Sequence, residues 1–137
     1  MRKVPAILVA LVAVAALGVA CSSGGSSEDA TTITATLDEY TVGTSADSAP
    51  AGPVSFDVSN VGVEGHNLLV VRTDAAADGL PVEGSTASEE GTVAETDVLA
   101  QGERQTITVD LDPGAYVLIC NVPEHYRAGM YAPFTVA

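Results

Sequence analysis

Beyond residue 21 the chain carries one thiol, one thioether and two imidazoles: Cys120, Met130, His66 and His125. Three of them fall in one stretch, Cys120-Asn121-Val122-Pro123-Glu124-His125-Tyr126-Arg127-Ala128-Gly129-Met130. Four residues separate the cysteine from the histidine, and four more separate the histidine from the methionine. A turn at Pro123 can return His125 to the point where Cys120 ends an apolar run. A second bend at Gly129 brings Met130 over both. His66 follows Gly62 and Gly65 and enters from the start of a different strand. Two imidazoles and a thiolate in a plane, with a weak axial thioether, form the coordination that suits copper in electron transfer. Zinc favours a harder or more anionic fourth ligand than methionine.

Each of these side chains also has an ordinary reading. A lone cysteine packs as a small hydrophobe, and a lone methionine fills a core. His66 alone reads as a hydrogen-bonded surface histidine. Cys120 with His125 is also the pair a thiol nucleophile and its base would need. That hydrolase alternative lacks an oxyanion signature. A multicopper centre is excluded because two histidines cannot build the additional sites. One copper site, alternating between Cu(I) and Cu(II), uses all four side chains together.

The elements that must hold these residues read as β-strands. In residues 32–37, 54–59 and 106–111 apolar side chains alternate with polar ones, the mark of a sheet covered on one face. Residues 68–71 are apolar throughout, as in a strand buried on both faces. Asp112-Pro113-Gly114 is a tight turn that leads into a strand over 115–120. Residues 134–136 close the last strand. The pattern predicts an all-β domain over 31–137, a Greek-key β-sandwich or barrel of about seven to eight strands. The acidic segment 73–103 has no clear period, and a short helix and a strand are both open there.

The N-terminus sets the compartment. Arg2 and Lys3 precede an uncharged block over 4–20, followed by Cys21. This is a secretory signal pattern over 1–20. Leu17-Gly18-Val19-Ala20-Cys21 resembles a lipobox, with Gly18 where leucine is commoner, which implies lipidation at Cys21. Residues 22–30 are small and polar, a tether of roughly 30 Å when extended. A plain apolar anchor is the alternative, since 17 residues is near the lower limit for spanning. An ordinary cleaved signal peptide is a further alternative; all three place the domain outside the cytoplasm, and the lipoprotein reading holds it on the outer face of the cytoplasmic membrane. There a lone thiol without a disulfide partner needs a reason, which a metal supplies.

The chain has 18 acidic and 5 basic residues. Without the leader only Arg72, Arg104 and Arg127 remain, and the charge is 3 − 18 = −15. Nucleic-acid binding needs a basic face and is excluded. Docking on anionic lipid through basic patches is excluded on the same ground.

With these residues in place the sequence resembles a cupredoxin, most nearly the small secreted, plastocyanin-like blue copper proteins of bacteria. Gly114-Ala115-Tyr116-Val117-Leu118-Ile119-Cys120 resembles the strand leading to the copper cysteine. The loop 120–130 resembles the ligand loop, and Gly65-His66-Asn67 the first-histidine segment. The likeness runs from about residue 55 to 136. It implies a type 1 copper protein, not an enzyme, that transfers single electrons. Metal ligands would be His66, Cys120, His125 and Met130, with Asn67 holding the cysteine sulfur through its backbone N–H. It also implies that His125 is the electron port; Pro123, Tyr126, Ala132 and Pro133 read equally as an apolar docking rim and as ordinary loop packing. Two positions depart from the family's pattern. Glu124 replaces the glycine of a common Pro-Gly-His, and Leu118 sits where an aromatic is frequent. The expected partners are a redox protein, one with a basic docking face suiting the acidic surface, and the membrane through the lipid. An extracytoplasmic copper carrier or buffer in copper homeostasis would use the same ligands and is the alternative role.

Overall fold

The structure, a computed structural model, describes residues 29–137. The signal segment, Cys21 and most of the tether lie outside the described residues. Among the described residues no helix is long and apolar enough to cross a membrane.

Eleven strands form the domain: β1 (Thr31–Asp38), β2 (Thr41–Thr44), β3 (Ser48–Ala49), β4 (Gly52–Asn60), β5 (Leu69–Arg72), β6 (Val82–Glu83), β7 (Thr86–Ala87), β8 (Thr92–Glu95), β9 (Arg104–Leu111), β10 (Gly114–Ile119) and β11 (Tyr131–Val136). Three of them (β3, β6 and β7) are only two residues long, so the expected seven to eight strands correspond to the longer ones. One sheet has the order β2-β1-β4-β9, and the other β3-β11-β10-β5-β8. The chain passes repeatedly from one sheet to the other, a Greek-key sandwich. β1 runs parallel to β4, and β3 parallel to β11.

Period-two alternation explains the first sheet. β1 buries Ile33, Ala35 and Leu37, β4 buries Val54, Phe56 and Val58, and the threonines and serines between them face out. Each large apolar side chain buried this way contributes roughly 1.5–3 kcal/mol. Phe56 from this sheet meets Phe134 from the other, edge to face at 5.5 Å.

The central strands of the second sheet, β5 and β10, are buried on both faces. Val70, Tyr116 and Leu118 point into the main core. Leu69, Val71, Val117 and Ile119 point the other way, into a second cluster with Leu80, Ala87 and Tyr126. The segment 73–103 supplies that outer cover. Its first part carries the β6–β7 hairpin, and β8 then pairs with β5 at the sheet edge. No helix forms there. The segment lacks a period because only scattered residues such as Leu80 and Ala87 are buried.

Candidate metal centre

Three elements converge at one end of the sandwich. Cys120 follows directly on β10, whose pairing with β5 and β11 fixes it in the sheet. The loop after it closes on itself: the Met130 N–H donates to the His125 carbonyl, and the Cys120 N–H to the Met130 carbonyl, each at 3.1 Å. Gly129 makes this closure possible with φ 107°, a left-handed conformation that glycine adopts without steric cost. Glu124 also lies in the left-handed region, at φ 72°. This position explains the glycine common there in the resembling family. Here a glutamate tolerates the conformation, and its N–H donates to the Ser85 carbonyl at 2.8 Å.

His66 lies three residues before β5 and forms a two-way backbone bridge with Leu99. Buried Asn60 fastens this segment. Its side-chain amide donates to the carbonyls of Glu64 and Leu99 at 2.7 and 2.8 Å, and its Oδ1 accepts the Gly62 N–H at 2.9 Å.

The donor atoms of His66, Cys120 and His125 all lie within 4.8 Å of one another. Sγ of Cys120 is 3.5 Å from His125 Nδ1 and 3.8 Å from His66 Nδ1, and the two Nδ1 atoms are 3.1 Å apart. Cys120 and His66 are 0% exposed and His125 6%. Both rings turn Nε2 away from the cluster. His66 Nε2 meets Glu39 Oε1 at 3.1 Å, and His125 Nε2 meets Glu64 Oε2 at 3.3 Å. A carboxylate only accepts, so the neutral tautomer that suits each pair carries its proton on Nε2 and presents an Nδ1 lone pair to the cluster. In that tautomer two lone pairs and a sulfur face one another in a buried space, which fits a cation between them.

Electrostatics agree with that donor set. Burial lowers the pKa of His125, and the nearby His66 lowers it further, which keeps the ring neutral as a ligand must be. Burial raises the Cys120 thiol, while the backbone N–H groups of Val122 and Asn67 favour its thiolate. A metal bound here displaces the thiol proton.

The remaining expected residues are placed as follows. Met130 is fully buried in the same core cluster as Cys120. Asn67 adds a side-chain contact to its backbone one: Oδ1 accepts the Asn121 N–H at 2.9 Å and lies 3.5 Å from Sγ. For Tyr126 the packing reading holds. Tyr126 is 3% exposed, and its hydroxyl donates to the Ala77 carbonyl and accepts the Leu80 N–H, so it faces the outer layer rather than a partner. His125 is the more exposed of the two rings, but Glu64 and Tyr40 cover it, with Tyr40 edge-on at 5.3 Å. The sequence reading missed Glu39 and Glu64. Glu64 stands two residues before His66, a visible signal. Glu39 had none, because the β1–β2 turn brings it across from another sheet.

A Greek-key sandwich with a buried Cys-His-His cluster at one end defines a cupredoxin. Residues 44–137 match the family of copper binding proteins, plastocyanin/azurin family, and the chain belongs to that family. Among solved structures it is similar to reduced auracyanin from the photosynthetic bacterium Roseiflexus castenholzii, at 26% identity over 79% of this chain and 98% of that one, with a TM-score of 0.60. Auracyanin A, a "blue" copper protein from Chloroflexus aurantiacus, shares the fold at 22% identity over 77% of this chain and 99% of that one, TM-score 0.54. Rusticyanin from Thiobacillus ferrooxidans does so at 16% identity over 77% and 76%, TM-score 0.59. No curated protein matches the chain in sequence. The cofactor is copper, one ion, at the cluster of His66, Cys120 and His125.

Proposed function

We propose that the protein carries single electrons at the outer face of the cytoplasmic membrane, and that it is not an enzyme. The observation that carries this reading is the buried donor set: two Nδ1 atoms and one sulfur gathered at one place. Copper bound there would supply the one-electron Cu(I)/Cu(II) couple. The chain holds the donors at the ends of paired strands, Cys120 directly after β10 and His66 shortly before β5, so little has to move when the charge changes. Met130, closing the loop through its backbone, is the proposed axial donor. Burial supports this role over that of a copper carrier. Handing an ion to another protein requires exposed ligands, and these three are 0–6% exposed.

The test is the visible absorption spectrum of the domain after adding Cu(II). The expected result is an intense thiolate-to-copper charge-transfer band, lost in Cys120→Ser because a hydroxyl supplies no thiolate. An equally coloured serine variant overturns the assignment.

Anchoring is proposed through lipidated Cys21, with the tether 22–30 lifting the domain off the headgroups. Cys21→Ala should move the protein from the membrane to the soluble fraction. Continued membrane retention would favour an apolar anchor over 4–20 instead.

The proposed partner is a redox protein with a basic docking face. Only three arginines oppose the acidic field, and Glu39, Glu64 and Glu124 lie around the metal centre. Such a field speeds encounter with a cationic surface, and salt screens it over about 10 Å near 0.1 M. Transfer rates to a basic cytochrome-like protein should fall as ionic strength rises. Rates that stay flat would locate docking on an uncharged surface.

A further inference from the structure

We infer that Glu39 and Glu64 are positioning residues that fix the two histidine rings and strengthen them as donors toward Cu(II). This rests on the copper assignment above. The two carboxylates come from different parts of the fold, Glu39 from the β1–β2 turn and Glu64 from the loop between β4 and β5. Each ends on a different ring, and both contact Nε2, the atom facing away from the cluster. They are also tied to each other, since the Glu64 N–H donates to Glu39 Oε1 at 2.8 Å. The side chain of Glu39 is 29% exposed and that of Glu64 50%, so the first sits deeper. Gly62 makes room for it: a Cβ there would collide with the Glu39 carboxylate.

Two effects follow from this geometry. First, an acceptor at Nε2 locks the tautomer with the proton outside and the Nδ1 lone pair inside. The rings are therefore set for a metal before one arrives. Second, a carboxylate accepting the N–H raises the basicity of the opposite nitrogen. A more basic imidazole favours the higher charge of Cu(II), so both glutamates hold the reduction potential down. Simple surface acidity would not produce the first effect.

The experiment uses Glu39→Gln, Glu39→Ala, Glu64→Gln and Gly62→Ala in the full domain. Histidine ring 15N shifts of the copper-free protein read the tautomer. Voltammetry of the copper-loaded protein reads the potential. Glu124→Gln removes a charge beside the ligand loop without touching a ring nitrogen and measures the through-space share. We expect Glu39→Gln to keep the His66 tautomer, because the amide oxygen still accepts, while Cu(II) affinity falls about tenfold. With Cu(I) affinity unchanged, that is a potential rise of about 59 mV. Glu39→Ala and Gly62→Ala should also mix the His66 tautomers. Glu64→Gln should shift the potential less, since its contact is more exposed.

A His66 tautomer unchanged in Glu39→Ala, or a potential shift in Glu124→Gln equal to that in Glu39→Gln, would overturn the inference. Failure of the copper assignment would look different. The wild-type domain would then give no charge-transfer band, whereas the ring tautomers of the copper-free protein would still report on the carboxylates.

Discussion

The sheet β2-β1-β4-β9 keeps one face in water, whereas in the other sheet the central strands β5 and β10, the second leading into Cys120, are covered on both. On the first sheet the outward positions are threonine, serine and aspartate, with Ser55 and Thr108 bonded across strands at 2.7 Å. On β5 and β10 the outward positions include Leu69, Val71, Val117 and Ile119, roofed by Leu80, Ala87 and Tyr126. The roof is also tied to the ligand loop. Asn121 exchanges bonds with Ala87, its amide reaching the Ala87 carbonyl at 3.1 Å and its Oδ1 accepting the Ala87 N–H at 2.8 Å. Tyr126 and Glu124 make the further links to Ala77, Leu80 and Ser85. A one-sided sheet is enough to close a core. The second cover braces the ligand loop, and the first part of the segment 73–103 supplies much of it.

The largest effect should come from thinning that cover. Leu80→Ala removes a buried side chain from the roof and should cost about 2 kcal/mol, at the low end for a leucine that is 8% exposed. Thr34→Val, on the outer face of the first sheet, should stay within about 0.5 kcal/mol. Hydrogen exchange should separate the two further. In Leu80→Ala the amides of His125 and Met130 should exchange roughly 30-fold faster, the rate equivalent of that loss if the roof opens as a unit. Amides of β1 and β4 should change less. Equal acceleration in both sheets would mean the roof and the sandwich unfold together, and the contrast between the sheets would have no dynamic meaning.

The same contrast governs what could be read from the sequence. The first sheet was legible because alternation encodes a face in water: residues 32–37, 54–59 and 106–111 fall within β1, β4 and β9. The apolar run at 68–71 correctly announced burial on both faces, but nothing announced what covers it. The roof consists of isolated residues on turns, where hydrophobic spacing carries no period. At the metal centre, the soft side chains were legible because they are so scarce. Of the carboxylates behind the rings, Glu64 was signalled by its place two residues before His66, but Glu39 was not, since an acidic chain offers 18 candidates and only the fold selects it. Tyr126 stayed open for a related reason: in a loop, a tyrosine beside a ligand reads equally well as rim or roof.

The smallest predicted effect sharpens the comparison within the ligand loop itself. Of its two left-handed positions, Gly129 is occupied without steric cost and Glu124 is not. A residue with a Cβ gives up about 1–2 kcal/mol in that conformation. Glycine would remove this strain but lose about 0.5–1 kcal/mol more chain entropy on folding. The exposed pair between Glu124 and Arg127, at 3.7 Å, adds little against the change. The bond from residue 124 N–H to the Ser85 carbonyl is a backbone bond and survives it. Glu124→Gly should therefore stabilise the copper-free domain by about 0.5 kcal/mol, raising Tm by roughly 2–4 °C. Thermal unfolding followed by circular dichroism reads this directly. A lower Tm would show that the roof, rather than the residue's own conformational preference, holds the turn, and that the glutamate side chain contributes contacts beyond its ion pair.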